Sequence, residues 1–332
     1  MTTTTTDSIS PAPPRSHRDW TWVARQPLVG PLAALILAVI VFSIGSPRFL
    51  TPYNLSLIGQ QSIVIGILAV AQTIVILTAG IDLSIGAIAV LGTIVMAKTV
   101  ESAGGVGALL IALVVCVAIG AVNGSLVSFL RLPPFIVTLG TFTAVAAASQ
   151  LYAGSATYPV TSPLLTFFGQ DFGVGAWRTT LGVGVLVIVY IVCFYVLRQT
   201  AGGQHVYAVG GNPTAARFTG IKINRTLLMV YIMTGVIAMI AAWAALGRIP
   251  NADPNAYQTA NLDTITAVVI GGTSLFGGRG SVVGTLIGTL IVGVLRNGLT
   301  LIGVDNLYQN IATGVLVILA VAFDQIARRR TQ

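Results

Sequence analysis

The sequence predicts an all-α protein, a polytopic membrane bundle of about ten transmembrane helices with an internal repeat and both termini cytosolic. Three observations lead there. Of 332 residues, 55% are hydrophobic and only 8% are charged, against about 25% charged in a soluble domain. Apolar windows of the roughly 17–25 residues needed to cross a bilayer recur along the whole chain. The 17 basic residues outnumber nine acidic ones but sit in short loops and at the two ends. Bilayer orientation therefore explains the +8 charge better than a nucleic-acid partner does.

Residues 1–26 are rich in Thr, Ser and Pro and carry Arg15, Arg18 and Arg25. Such a stretch buries too little apolar surface to fold alone and reads as a disordered cytosolic tail. The run Leu28 to Ile44 ends without a small-x-small cleavage pattern, so it reads as a first membrane helix. Spanning windows follow at 28–46, 55–79, 84–100, 105–130, 133–153, 176–197, 226–246, 262–277, 281–300 and 307–326. The transmembrane domain is thus 27–327, with a cytosolic loop at 198–225 and a basic tail at 328–332. Alternating the sides places twelve basic residues inside and five outside (Arg48, Lys98, Arg178, Arg248 and Arg296), as the positive-inside rule requires. Cys116 and Cys193 fall in apolar runs and read as small buried hydrophobes. Gly280, Gly284 and Gly288, like Gly120 and Gly124, recur every four residues and predict close helix contacts.

Two stretches interrupt the long spans: "LTAGIDLSIGA" at 77–87 and "AVVIGGTSLFGGRGSVVG" at 267–284. Gly-interrupted segments in both halves of a transporter point to its translocation site. At the first, Gly80 is expected to supply an unusual backbone angle, and Asp82 or Ser84 to cap the next helix. The other reading of Asp82, a proton-coupling acid, lacks a second titratable group in the apolar spans nearby. Gly271, Gly272 and Ser274 mark the second break. Gln61 and Gln72, eleven residues apart, share one helix stripe, with Thr73 and Thr78 nearby. They read either as interhelical glue or as a path for an uncharged, polyhydroxylated solute.

The loop 198–225 contains "GGNPTAARFTG", which has the grammar of a short helix. Asn212 is the N-cap, Pro213 the first helical residue and Gly220 the terminator, and the helix could plug a partner's groove. His205 reads as a loop hydrogen-bonder. No P-loop, G-x-S-x-G, H-E-x-x-H or C-x-x-C pattern occurs, so neither an enzyme active site nor a metal site is expected.

"ILTAGIDLSIGAI", "AVGGNPTAARFTGIKINR", "LDTITAVVIGGTSLFGGRGSVVGTLIGTLIVGVLRNGL" and "LYQNIATGVLVILAV" together resemble the membrane permease subunits of bacterial ABC sugar importers, of the ribose/xylose/galactose type. The resemblance runs from about Leu28 to Phe323. It implies a multi-pass inner-membrane permease that pairs with a second copy or paralogue, a cytosolic double-cassette ATPase and an extracytoplasmic sugar-binding protein. ATP and magnesium would be held by the ATPase, not by this chain. It also implies that Gly211, Asn212, Pro213, Ala216, Arg217, Phe218 and Gly220 form the ATPase-coupling element. The family commonly reads T-x-L-G-R where this chain has "TAGGQ" at 200–204. The alternatives are an ion-coupled secondary transporter using Asp82, or an importer of another small polar solute such as autoinducer-2 or inositol.

Overall fold

The structure, a computed structural model, describes residues 28–174 and 177–329. The tail assigned to 1–26 and the last residues of the basic tail lie outside the described residues. Helices dominate: α1 (Val29–Gly45), α2 (Pro52–Leu77), α3 (Ile85–Ser128), α4 (Pro134–Ala153), α5 (Leu181–Gln199), α6 (Ala201–Gly211), α7 (Pro213–Phe218), α8 (Ile223–Arg248), α9 (Ala260–Ile270), α10 (Val282–Leu301) and α11 (Asn306–Arg329). Six of them, α2, α3, α4, α5, α8 and α10, are long and apolar enough to cross a membrane. Their starts follow local chemistry. The Thr51 hydroxyl accepts from the Asn54 amide ahead of α2, whose first residue is Pro52, and the Ser281 hydroxyl accepts from the Gly284 amide ahead of α10.

Helix α3 runs for 44 residues, about 66 Å if straight, or twice the hydrocarbon thickness. It is not straight. Gly104 adopts φ 70°, ψ 173° and divides it, which reconciles one continuous helix with the two windows 84–100 and 105–130. The window 262–277 fares differently. Only Ala260–Ile270 is helical, about 16 Å, because Gly272 turns into the left-handed region at φ 84°.

The all-α expectation needs one amendment. Between α4 and α5 lie strands β1 (Tyr158–Pro159), β2 (Asp171–Val174) and β3 (Trp177–Thr180), with a 3₁₀ turn at Phe167–Gly169. The short strand β1 pairs antiparallel with β4 (Asn251–Ala252), and β2 pairs with β3. Helix α5 therefore begins at Leu181, five residues later than the window 176–197. This strand-bearing segment caps one end of the bundle: the Trp243 indole, near the end of α8, donates to the Leu164 carbonyl at 2.9 Å. The loop 198–225 adjoins the other end of α8, about 39 Å away along its 26 residues.

Close packing holds the bundle. A Cβ on Gly120 would run into the Tyr231 carbonyl of α8, and one on Gly235 would lie 2.9 Å from the Val117 Cα. Gly284 and Gly288 of α10 meet the backbone of Gly271 and Ala267 in the same way. Gly280 does not share their face. It precedes the Ser281 cap, with φ 154°, and packs on Thr273. A polar ladder joins α2 to its neighbours: Asn54 and Asn297 exchange reciprocal amide bonds of 2.9 Å, Thr73 meets Thr285 at 2.7 Å, and the Tyr190 hydroxyl lies 3.1 Å from both Thr289 and the Gly66 carbonyl. Such bonds fasten helices where hydrophobic driving force is absent.

Candidate functional site

Three segments distant in sequence meet at the loop end of the bundle. The first is the interruption after α2. Its Thr78 hydroxyl folds back to the Val75 carbonyl at 2.7 Å. The left-handed residue is Ala79, φ 61°, and not Gly80. Gly80 sits in a tight place instead: a Cβ there would lie 3.1 Å from Val75 Cγ1 and 3.2 Å from the Tyr231 hydroxyl, so those side chains would have to give by a few tenths of an ångström. Asp82 is fully buried. Its Oδ1 accepts from the Ser84 amide at 2.7 Å and from the Ser84 hydroxyl at 2.6 Å. Ser84 does not cap α3 through its side chain. Its Oγ accepts from Asn123 Nδ2 at 2.9 Å, and Asn123 Oδ1 accepts from the Thr141 hydroxyl at 2.6 Å. The interruption is thereby tied to the far part of α3 and to α4.

The second segment is 271–280. Gly271 stays in the right-handed helical region, while Gly272, Gly277 and Gly278 all have positive φ. The Ser274 amide donates to the Arg279 carbonyl at 3.0 Å and closes the turn. The third segment is α6, an additional helix inside the loop 198–225. The Thr200 hydroxyl caps it by accepting from the Gly203 amide at 3.2 Å.

These three segments touch backbone to backbone. The Gly278 amide donates to the Leu77 carbonyl at 2.9 Å, and the Tyr207 hydroxyl of α6 donates to the Gly280 carbonyl at 3.0 Å. A Cβ on Gly210 would collide with the Leu77 carbonyl and lie 2.9 Å from the Gly278 amide. A Cβ on Gly277 would lie 2.7 Å from the Ala79 nitrogen, and one on Gly278 2.5 Å from the Gly211 Cα. Only glycine permits this approach. The sequence pointed to Gly211, Gly271 and Gly272 but not to Gly210, Gly277 or Gly278. The signal available was a Gly-Gly doublet in both partner segments.

Helix α7 leaves this junction directly. Asn212 Oδ1 accepts from the Ala215 amide at 3.0 Å, Pro213 is the first helical residue, and Gly220 ends the turn at φ 84°. Ala216 alone of its six residues is buried, whereas Arg217 is exposed and Phe218 is 86% exposed. A cavity of about 350 Å³ lies behind α7, between Pro213, Arg217, Thr78, Ser128, Arg131 and Tyr231.

The four path candidates all lie on α2 or at its end. Thr73 is committed to Thr285, and Thr78 to the interruption. Gln61 is half-buried, while Gln72 is fully buried with neither amide atom hydrogen-bonded. His205 belongs to α6. One pair escaped the sequence reading. Asp263 of α9, 1% exposed, meets Arg296 of α10 at 2.7 Å. Asp82 is therefore not alone among buried acids, and the signal was two opposite charges in the adjacent windows 262–277 and 281–300.

A family described as branched-chain amino acid transport system / permease component matches residues 54–321. The chain belongs to this family. It is 45% identical to the fructose import permease protein FrcC of Rhizobium meliloti, over 91% of this chain and 86% of that one. It is 40% identical to the ribose import permease protein RbsC of Escherichia coli K12, over 88% and 92%. Identity to the D-allose transport system permease protein AlsC of the same strain is 35%, over 88% and 90%. No solved structure matches the chain.

Proposed function

We propose that this chain is the permease subunit of an ATP-driven importer that carries a monosaccharide across the inner membrane. Two such subunits enclose the path, a cytosolic double-cassette ATPase holds ATP and magnesium, and an extracytoplasmic protein delivers the sugar. The observation that carries the reading is the glycine junction: the end of α6, one residue before α7, rests on both helix interruptions at once. A force applied to α7 from the cytosol would reach both interruptions without crossing a flexible linker. The relatives named for fructose, ribose and allose favour a sugar as cargo.

The topology is ten crossings with both termini cytosolic. Counting the two parts of α3 separately and adding α1, α9 and α11 to the other long helices gives that number, with α9, about 16 Å long, crossing only together with the non-helical backbone beside it. Moving a two-state bundle from 1:99 to 99:1 takes about 5.5 kcal/mol of differential binding. With no P-loop in the sequence, the ATPase must supply that bias.

A second reading comes from the family description, which names branched-chain amino acids. One experiment separates the two. The chain is reconstituted in lipid with its ATPase and binding protein, and ATP hydrolysis is recorded with fructose, ribose, allose and leucine. Stimulation by one sugar, only with all components present, is the expected result. Stimulation by leucine alone would favour the second reading, and ATP-independent uptake following a proton gradient would overturn both.

A further inference from the structure

The flank of the bundle carries a larger cavity, about 560 Å³, between α5, α6 and the first half of α8. That volume is in the range of small-ligand pockets, about 300–1,000 Å³. Its three parts differ in chemistry. The floor is apolar and closed: Ile74, Cys193, Leu197, Val206 and Val230 are all buried. The side is apolar and open, with Val192 52%, Val196 39%, Met229 47% and Met233 43% exposed. These residues lie one to three turns along α5 and α8 from the loop, on a surface continued by Ile188, Ile191 and Tyr195, which are also exposed. The mouth, at loop level, holds His205, Lys222 and Arg225. Among the described residues neither Lys222 nor Arg225 has an acidic partner; the ion pair that the described residues include, Arg296 with Asp263, joins α9 to α10 away from this cavity. No side chain caps the start of α8 at this mouth, so its first-turn amides add further donors.

A water-soluble solute would not be held by an apolar cleft that opens sideways. An amphiphile with a negative head matches all three parts, and basic pockets between helices at the cytosolic boundary are suited to such lipids. We infer that this cavity binds an anionic phospholipid of the inner leaflet, its phosphate at Lys222 and Arg225 and an acyl chain in the cleft between α5 and α8. The placement of the mouth at the inner leaflet rests on the topology proposed above. Because the walls include α6 and the α7–α8 link at Thr219 to Ile221, the bound lipid braces the loop that carries α7 against α5.

The test uses the assembled transporter, purified from membranes containing phosphatidylglycerol and phosphatidylcholine. Retained phospholipid is counted by native mass spectrometry, and sugar-stimulated ATP hydrolysis is measured in nanodiscs with and without phosphatidylglycerol. The wild type should retain phosphatidylglycerol selectively. K222Q/R225Q should retain about tenfold less, Val196→Trp should exclude it by filling the cleft, and Arg48→Gln, a charge loss in a distant loop, should retain it fully. Equal retention by wild type and K222Q/R225Q would overturn the inference. So would displacement of the lipid by inorganic phosphate alone, or its absence from the assembled transporter when the isolated permease holds it, which would assign the face to the ATPase. Retention is read by mass and does not depend on transport. Selective retention without stimulation by any sugar would therefore uphold the lipid site and sink the importer reading.

Discussion

A methyl group at position 210 has nowhere to go, because the Leu77 carbonyl and the Gly278 amide already occupy its space. Both obstacles are backbone, so relief requires shifting α6 or an interruption. Overpacking of this kind costs about 1–3 kcal/mol. We expect Gly210→Ala to lower the thermal midpoint and to reduce sugar-stimulated ATP hydrolysis severalfold. Gly184→Ala, where no atom lies within 4 Å, should change neither, and equal effects at both positions would remove the junction from the mechanism. The Asp263–Arg296 pair makes an asymmetric prediction. Arg296 is 34% exposed and can turn to water, whereas Asp263 is 1% exposed and cannot. Arg296→Gln strands a buried charge and should cost about 3–5 kcal/mol. Asp263→Asn strands only a half-exposed guanidinium and should cost about 1 kcal/mol, and D263N/R296Q should recover much of the Arg296→Gln loss in a melting experiment. The sequence reading missed the ion pair, although two opposite charges in adjacent apolar windows were there to signal it. For Gly210 the sequence offered only a Gly-Gly doublet, because the segments that pack on it, at Leu77 and Gly278, lie far along the chain.

Elements divide along the same line. Long apolar windows found their helices to within a few residues, for instance 281–300 against Val282–Leu301, because length and hydropathy alone define a span. Helix α6 escaped. Its eleven residues include Gly202, Gly203, Gly210 and Gly211, and each glycine disfavours a helix by about 1 kcal/mol. Tertiary contact overrides that preference, as it does in α7, whose six residues fall far short of the roughly 12–15 needed for an isolated helix. Asn212→Ala removes the cap of α7, worth about 1 kcal/mol. It should weaken sugar-stimulated hydrolysis while leaving the melting of the bundle unchanged, and Asn212→Asp should restore it. A fall in bundle stability equal to the fall in coupling would show that α7 is only a packing element. Gly104 is the converse case, a single residue that sets the length of an element. Its φ 70°, ψ 173° lies in a region open almost only to glycine, so Gly104→Ala should cost about 1–3 kcal/mol in a melting experiment although the added Cβ would meet nothing within 4 Å.

At the scale of the molecule the sequence predicts an orientation through charge alone, from its 17 basic residues and their loop positions, and the fold adds which surfaces share a side. Phe172, 49% exposed on β2, and Phe218, 86% exposed on α7, are separated by one spanning helix, α5, and by the short α6. They must face opposite sides of the bilayer if α5 crosses it. The native thiols do not interfere, because Cys116 and Cys193 are both buried and free. A membrane-impermeant maleimide added to intact cells should therefore label Phe172→Cys and spare Phe218→Cys, with the pattern reversed in inside-out vesicles. Leu151→Cys, at the end of α4 and 82% exposed, should follow Phe172→Cys, because no spanning helix separates them. Labelling of Phe218→Cys from outside would invert the molecule and detach α7 from any cytosolic ATPase. Labelling of both phenylalanine positions from one side would mean that α5 does not cross, which its largely apolar 19-residue length and the positive-inside asymmetry together argue against.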